Sequence, residues 1–282
     1  MHFSHRSRRI VVAMTLFASY VTLPPHAYSN AWGATRSPAA RGPLVFADEF
    51  TRSGVDISRW NFCHWWGPTG CTIAGNNELQ WYTPGQVEQV RGSLRLTAVR
   101  SPVNGSDGKR YEYRSGMVTT GAVSEEGSKA KFAFRYGYLE ARVSIPRGAG
   151  LWPALWLLPT TNRSRPEVDI FEIRGSQTNA LSMHLHTNDT RGNKKFSGEH
   201  WTGPDLAIGW HTFALDWQPR SLRWLVDGRE AWRVVGDEVP SEPMYIVANL
   251  AVGGDWPGSP TSATPFPSTF SIDYLRVWGY PQ

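Results

Sequence analysis

From residue 44 onward the chain is a succession of short β-rich runs separated by Gly, Pro, Asn and Asp. "GSLRLTAVR", "YGYLEARVSIP", "LSMHLHT", "WHTFALDW", "SLRWLVDG", "MYIVANLAV" and "FSIDYLRVWG" are examples. Many alternate with period two: Leu139, Ala141, Val143 and Ile145 fall on one face of "YLEARVSI", as a half-buried strand requires. The "VDGRE" stretch at 226–230 predicts a hairpin turn between "LRWLV" and "AWRVV". No segment holds a helical period over three turns, and there is no internal repeat or linker. Regular short strands with turn signals predict one all-β sandwich or barrel of roughly 240 residues.

One run breaks the alternation. In "EVDIFE" the strand period puts Glu167 and Asp169 on one face and would send Glu172 to the other. A β-bulge at Ile170–Phe171 returns Glu172 to the shared face, and bulges re-aim side chains in this way beside active sites. The two glutamates are then four strand steps apart, about 13 Å between Cα atoms. Side chains leaning together bring their carboxyls to about 5–5.5 Å, the separation a retaining glycosidase uses. Asp169 between them adds a like charge that keeps one glutamate protonated, as an acid catalyst needs. Two other readings of three clustered carboxylates are a metal site and a solvated edge. The edge fits poorly with Val168, Ile170 and Phe171 opposite.

The neighbouring segments extend this chemistry. "GLWPALWLLP" places Trp152 and Trp156 on one strand face, either as sugar-stacking platforms or as core residues. "NNELQWYT" offers Asn76, Asn77 and Glu78 beside Trp81, a polar set suited to hydroxyl groups. His184 and His186 alternate onto one face of "MHLHT" and either line the same cleft or serve the structure.

Composition narrows the picture. The net charge of +5 is concentrated early: Arg6, Arg8 and Arg9 lie in the first 31 residues, which hold no acid. The remaining 26 basic and 24 acidic residues nearly balance, which gives no case for nucleic-acid binding. "HRSRR" followed by an apolar run from Ile10 to Leu23 predicts a secretory signal over 1–31, with "RRIVV" faintly resembling a twin-arginine signal. That run is too short to span a bilayer, so the mature form is expected off the membrane, either secreted or periplasmic. Residues 32–43 read as a flexible leader, and 44–282 as the catalytic domain. In an exported chain Cys63 and Cys71 form a loop-closing disulfide; the alternative is two free thiols.

Several of these stretches resemble the glycoside hydrolase family 16 enzymes, most closely their laminarinase-like β-1,3-glucanase branch. They are "ADEF", "NNELQWYT", "SKAKFAFRYGYLEARVSIPRGAGLWPALWLLP", "EVDIFE", "WHTFALDWQPRSLRWLVDG" and "ANLAVGGDWPG" with the "TPFPSTFSIDYLRVW" that follows. They run in family order from residue 44 to 280. The resemblance implies a β-jelly-roll of two curved antiparallel sheets with the catalytic strand in a concave cleft. It implies Glu167 as nucleophile, Asp169 as its electrostatic aid and Glu172 as general acid/base, with Asn249 and Trp256 among the residues touching substrate. The expected substrate is a β-glucan polysaccharide or oligosaccharide, cut by a monomer that needs no catalytic cofactor. The bulged form of the signature is the laminarinase one; mixed β-1,3-1,4-glucan and galactans are the alternatives, and a non-catalytic glucan-binding protein is a third. The resemblance also implies a structural Ca²⁺ at Glu49, Gly92 and Asp273, although Asp273 reads equally as an exposed strand residue. The chain departs from the branch at Met117, at Tyr138, in "EIRGS" and in "HLHTND", all expected near the cleft.

Overall fold

The computed structural model describes residues 41–64, 66, 69–122, 129–161 and 163–280. The predicted signal over 1–31 and most of the leader lie outside the described residues. The leader's last residues depart from the expectation of a flexible tail. Gly42 donates its N–H to the Gly279 carbonyl at 3.2 Å, and Pro43 accepts from the Gly279 N–H at 2.8 Å. Arg41 lies over the Tyr138 and Trp278 rings at 4.3 and 4.4 Å. The domain edge therefore begins a few residues before 44, because backbone groups there complete the C-terminal strand.

Eighteen strands occur among the described residues. In chain order they begin with β1 (Leu44–Asp48), β2 (Gln80–Tyr82), β3 (Val87–Val90), β4 (Ser93–Ala98), β5 (Val103–Asn104) and β6 (Arg110–Tyr111). Next come β7 (Tyr113–Ser115), β8 (Met117–Thr119), β9 (Gly137–Ser144), β10 (Leu151–Pro159), β11 (Glu167–Glu172) and β12 (Ala180–Asn188). Last are β13 (Lys194–Thr202), β14 (His211–Gln218), β15 (Ser221–Val226), β16 (Arg229–Val235), β17 (Met244–Val252) and β18 (Ser268–Gly279). One sheet has the order β16-β15-β14-β9-β18-β4-β3, with β1 also on β18; the other runs β13-β12-β11-β10-β17-β8. Both are antiparallel throughout. The predicted hairpin is present: Asp227 and Gly228 join β15 to β16 with φ of 48° and 75°, the left-handed pair that a type I′ turn uses.

The core lies between the two sheets, where alternation sends one face of every central strand. Leu139, Ala141 and Val143 of β9 and Phe213, Leu215 and Trp217 of β14 meet Leu151, Leu155 and Leu157 of β10 and Val168 and Phe171 of β11. Phe171 and Phe213 pack with ring centroids 4.4 Å apart. The signature strand β11 is thus anchored by its apolar face near the centre of the six-stranded sheet, with its polar face turned outward.

A second, smaller cluster covers part of that outer face. Tyr82, Met117, Trp156, Leu158, Tyr245 and Val247 pack there beneath the segment that carries Cys71 and Ile73. Met117 is fully buried in this cluster, so an apolar residue is what its surroundings require. Tyr138 corrects an expectation. It packs with Ala214, Leu225 and Trp278 on the outside of the other sheet, because β9 belongs to that sheet and residue 138 alternates away from the core. It is not a cleft residue.

Candidate active site

The bulge in β11 is real. Asp169 pairs with His184 and Glu172 with Ser182 on β12, so three steps on β11 face two on its neighbour. On the other side Trp156 pairs with Asp169 and Leu155 with Phe171, leaving Ile170 as the extra residue. Glu167, Asp169 and Glu172 consequently share the outer face and line one cleft with Asn76, Glu78, Trp152, Trp156, His184, His186, Asn249 and Trp256. Glu167 and Glu172 sit opposite His186 and Ser182, four residues apart on β12, hence roughly 13 Å between backbones. The Asp169 carbonyl at the bulge accepts a hydrogen bond from the Trp224 indole N–H at 2.9 Å. That donor comes from the opposite sheet and satisfies a buried group there.

Two imidazoles interleave with the three carboxylates. Nδ1 of His184 lies 2.8 Å from Glu172 Oε2 and 3.6 Å from Asp169 Oδ2. Nε2 of His186 lies 3.2 Å from Asp169 Oδ2 and 3.7 Å from Glu167 Oε1. The Trp152 indole donates to Glu172 Oε1 at 3.1 Å. Burial, then the charges of Asp169 and Glu172, push Glu167 well above the usual carboxylate range. Burial, then Asp169, pushes Glu172 up as well. For Asp169 burial works upward, but the two imidazoles hold it below its ordinary value. Burial opposes charge on His184, yet its carboxylate neighbours outweigh that and raise it to about 9. Glu172 and His184 are thus a hydrogen-bonded pair in which burial and the charge of Asp169 favour the protonated carboxyl and the imidazole opposes them.

The remaining predicted residues divide. Glu78 is buried and accepts from Asn76 at 3.1 Å and from Gln80 at 2.6 Å; burial lifts its carboxyl to about 7. Trp152 is half-buried beside Trp256, with ring centroids 5.2 Å apart, and Arg174 of "EIRGS" lies 5.3 Å from the Trp256 ring centroid. Trp156 is 6% exposed. It donates to Asn249 Oδ1 at 2.7 Å, while Asn249 donates to the Tyr82 hydroxyl at 3.0 Å. Asn77 is corrected: it takes a left-handed φ of 54° at the end of a short turn, and its amide binds Asp255 at 3.0 and 3.1 Å outside the cleft. Trp81 turns away as well, onto Tyr111 at 5.1 Å. Cys63 and Cys71 form the disulfide, and the Cys71 carbonyl accepts the Tyr82 N–H at 2.7 Å, tying this loop to β2. Ile73, two residues on, lines the cleft.

The calcium set does not fit. Glu49, Gly92 and Asp273 do neighbour one stretch of β18, since Asp48 pairs with Leu275 and Leu94 with Ile272. Both carboxylates are nonetheless taken. Arg276 grips Glu49 through two hydrogen bonds of 2.7 Å, and Arg142 reaches Asp273 at 2.7 Å. Calcium requires six to eight oxygens, and neither carboxylate is free of a guanidinium.

Three cleft residues, Ile73, Ala154 and Phe196, escaped the sequence reading. Phe196 of β13 is 58% exposed, lines the cleft and stands 5.0 and 5.2 Å from the His184 and His186 rings. An aromatic set in the polar run "KKFSGEHWT" was the available signal for Phe196. Gly198 beside it makes room: a Cβ there would come within 2.5 Å of the His184 ring.

A jelly-roll whose outer sheet face gathers three carboxylates and flanking indoles in one groove defines a protein of the glycosidase type. The match to known proteins is specific: residues 77–276 correspond to Glycosyl hydrolases family 16, and the chain belongs to that family. It is 32% identical to an endo-1,3-1,4-beta-glycanase of Rhizobium meliloti, over 83% of this chain and 51% of that protein. It is 30% identical to glucan endo-1,3-beta-glucosidase A1 of Niallia circulans, over 87% of this chain and 39% of that protein. The chain thus spans about half the length of the first of these curated relatives and 39% of the second. The crystallised laminarinase catalytic domain of Thermotoga maritima is 31% identical, with a TM-score of 0.73 over 85% of this chain and 98% of that one.

Proposed function

We propose that this chain is an exported endo-β-glucanase that cuts β-1,3 linkages with retention of configuration. The observation that carries the reading is the bulge, which turns Glu172 onto the face of Glu167 and Asp169. Glu167 Oε attacks the anomeric carbon while the glycosidic C–O bond breaks and Glu172 delivers its proton to the departing oxygen. Water then loses a proton to Glu172 and displaces the Glu167 ester, returning both residues to their starting states. His184 positions the Glu172 carboxyl through their 2.8 Å hydrogen bond. Asp169 remains ionised between the glutamates and keeps the acid's proton on at neutral pH. Trp152, Trp256 and Phe196 present ring faces to the sugars. The basic and apolar start of the chain and the disulfide both accord with export.

Glu167→Gln tests the nucleophile. Gln has the shape of Glu and keeps a polar group at this position, so the melting temperature should hold. Turnover of laminarin should fall by about a thousandfold or more; activity within tenfold of the wild type ends the assignment. Mixed-linkage glucan is the second reading, because the Rhizobium relative is named an endo-1,3-1,4-beta-glycanase. Sizing the products from laminarin and lichenan separates the two: faster release of short oligosaccharides from lichenan favours the second.

A further inference from the structure

His184 and His186 are two residues apart on β12, so both rings stand over the same patch of sheet. His184 Nδ1, His186 Nε2 and an Asp169 carboxylate oxygen all lie within 4.8 Å of one another. The two nitrogen-to-Asp169 separations are 3.6 and 3.2 Å. Donors around a tetrahedral ion at bonds of about 2.0–2.2 Å stand about 3.4 Å apart, and the two separations to Asp169 bracket that value.

A second observation is independent of the spacing. Asp169 is 3% exposed, and its Oδ2 is buried with no hydrogen-bond partner. The His184 nitrogen is too distant for a hydrogen bond and the His186 nitrogen is poorly aligned. A buried carboxylate oxygen left without a donor costs free energy, and a cation between the imidazoles would remove that cost.

We infer that Asp169, His184 and His186 form a binding site for a divalent transition-metal ion. Glu172, 2.8 Å from His184 Nδ1, and Glu167, 3.7 Å from His186 Nε2, are the nearest further donors. Two imidazoles with a carboxylate suit zinc or copper, whereas calcium and magnesium prefer all-oxygen sets. The ion occupies carboxylates that glycosidic cleavage needs, so the metal-loaded form is a reversibly silenced form of the protein. That consequence rests on the proposed activity; the site itself does not.

Titrating chelator-treated full-length protein with Zn²⁺, without substrate, measures the site directly. One saturable high-affinity ion should bind at this site, and His186→Gln should weaken it by at least about tenfold. X-ray absorption of the wild-type zinc complex should show two imidazole nitrogens, and this readout stands even if the variant misfolds. Ca²⁺ in place of Zn²⁺ should not bind there. A zinc shell without imidazole, an affinity unchanged by His186→Gln, or no saturable zinc binding overturns the inference. Loss of laminarin hydrolysis on adding Zn²⁺ is a separate arm, read only after hydrolysis by the metal-free protein is established.

Discussion

Asp169 is the residue on which the electrostatics of the site turns. It is held ionised by two imidazoles, and its charge raises both Glu172 and His184. A base raised in the folded state contributes stability that is complete below its unfolded value, here 6.5, and lost as the pH climbs through about 9. Catalysis should fall on the alkaline side as Glu172, whose carboxyl burial and Asp169 push up, loses its proton. Asp169→Asn removes the charge that holds that proton, so the alkaline limb of kcat/KM should move to lower pH. A pH–rate profile of the folded variant checks this, and an unmoved alkaline limb contradicts the coupling. The two tryptophans of β10 separate at the same scale. Trp152 is half-buried with one N–H on Glu172, so Trp152→Ala should raise KM or weaken oligosaccharide binding about ten- to a hundredfold, at nearly constant melting temperature. Trp156 is buried in the smaller cluster. Trp156→Ala should therefore cost about 3–5 kcal/mol of stability, as large core truncations do. Affinity and thermal melts on the same preparations distinguish them; the opposite pattern reverses the two roles.

At the scale of elements, three devices build the groove: the bulge in β11, the disulfide loop, and the edge strand β13. The bulge exposes the Asp169 carbonyl to the inter-sheet space, where Trp224 of β15 supplies its donor. The Cys63–Cys71 loop stacks His64 on Trp66 at 4.0 Å and sets His64 5.5 Å from Trp156, so it roofs the covered half of the sheet. Closing so short a loop should stabilise the fold by about 2–3 kcal/mol. Replacing both cysteines by serine should lower stability by that amount in a denaturant melt. It should also weaken substrate binding, because Ile73 and Asn76 follow directly. A double variant with unchanged stability and unchanged KM removes the loop from the site.

On the scale of the whole molecule, the two sheets differ in what their outer faces do. The eight-stranded sheet carries ion pairs such as Glu49–Arg276 and Arg142–Asp273, while the six-stranded sheet carries the groove. Those guanidiniums neutralise the two carboxylates expected to hold calcium, so calcium should add nothing to the stability of the fold. Thermal melts with excess calcium and with a calcium chelator should therefore coincide. A melting temperature that rises with calcium, as a ligand of the folded state alone produces, reinstates the site. Arg276→Gln, which frees Glu49, is the variant in which such a rise would first appear.

The strands, the division of each into a core face and an outward face, and the need for a bulge in "EVDIFE" were legible from the chain. They follow from period-two alternation and turn chemistry, which neighbouring residues decide among themselves. So was the gathering of the three carboxylates on one face, because a bulge of one residue is the smallest change that puts them there. What the tertiary structure alone decided depends on partners far away in sequence. Phe196 joins the site only because β13 pairs with β12 in a register that sets it opposite His186. Trp156 became a braced buried residue through Asn249 and Tyr82, which lie 93 and 74 positions from it. Asn77 left the cleft for Asp255, 178 residues on. The calcium set lost its free carboxylates to arginines from other strands. In each case a side chain's role was settled by which strand became its neighbour, and alternation within one strand carries no information about that.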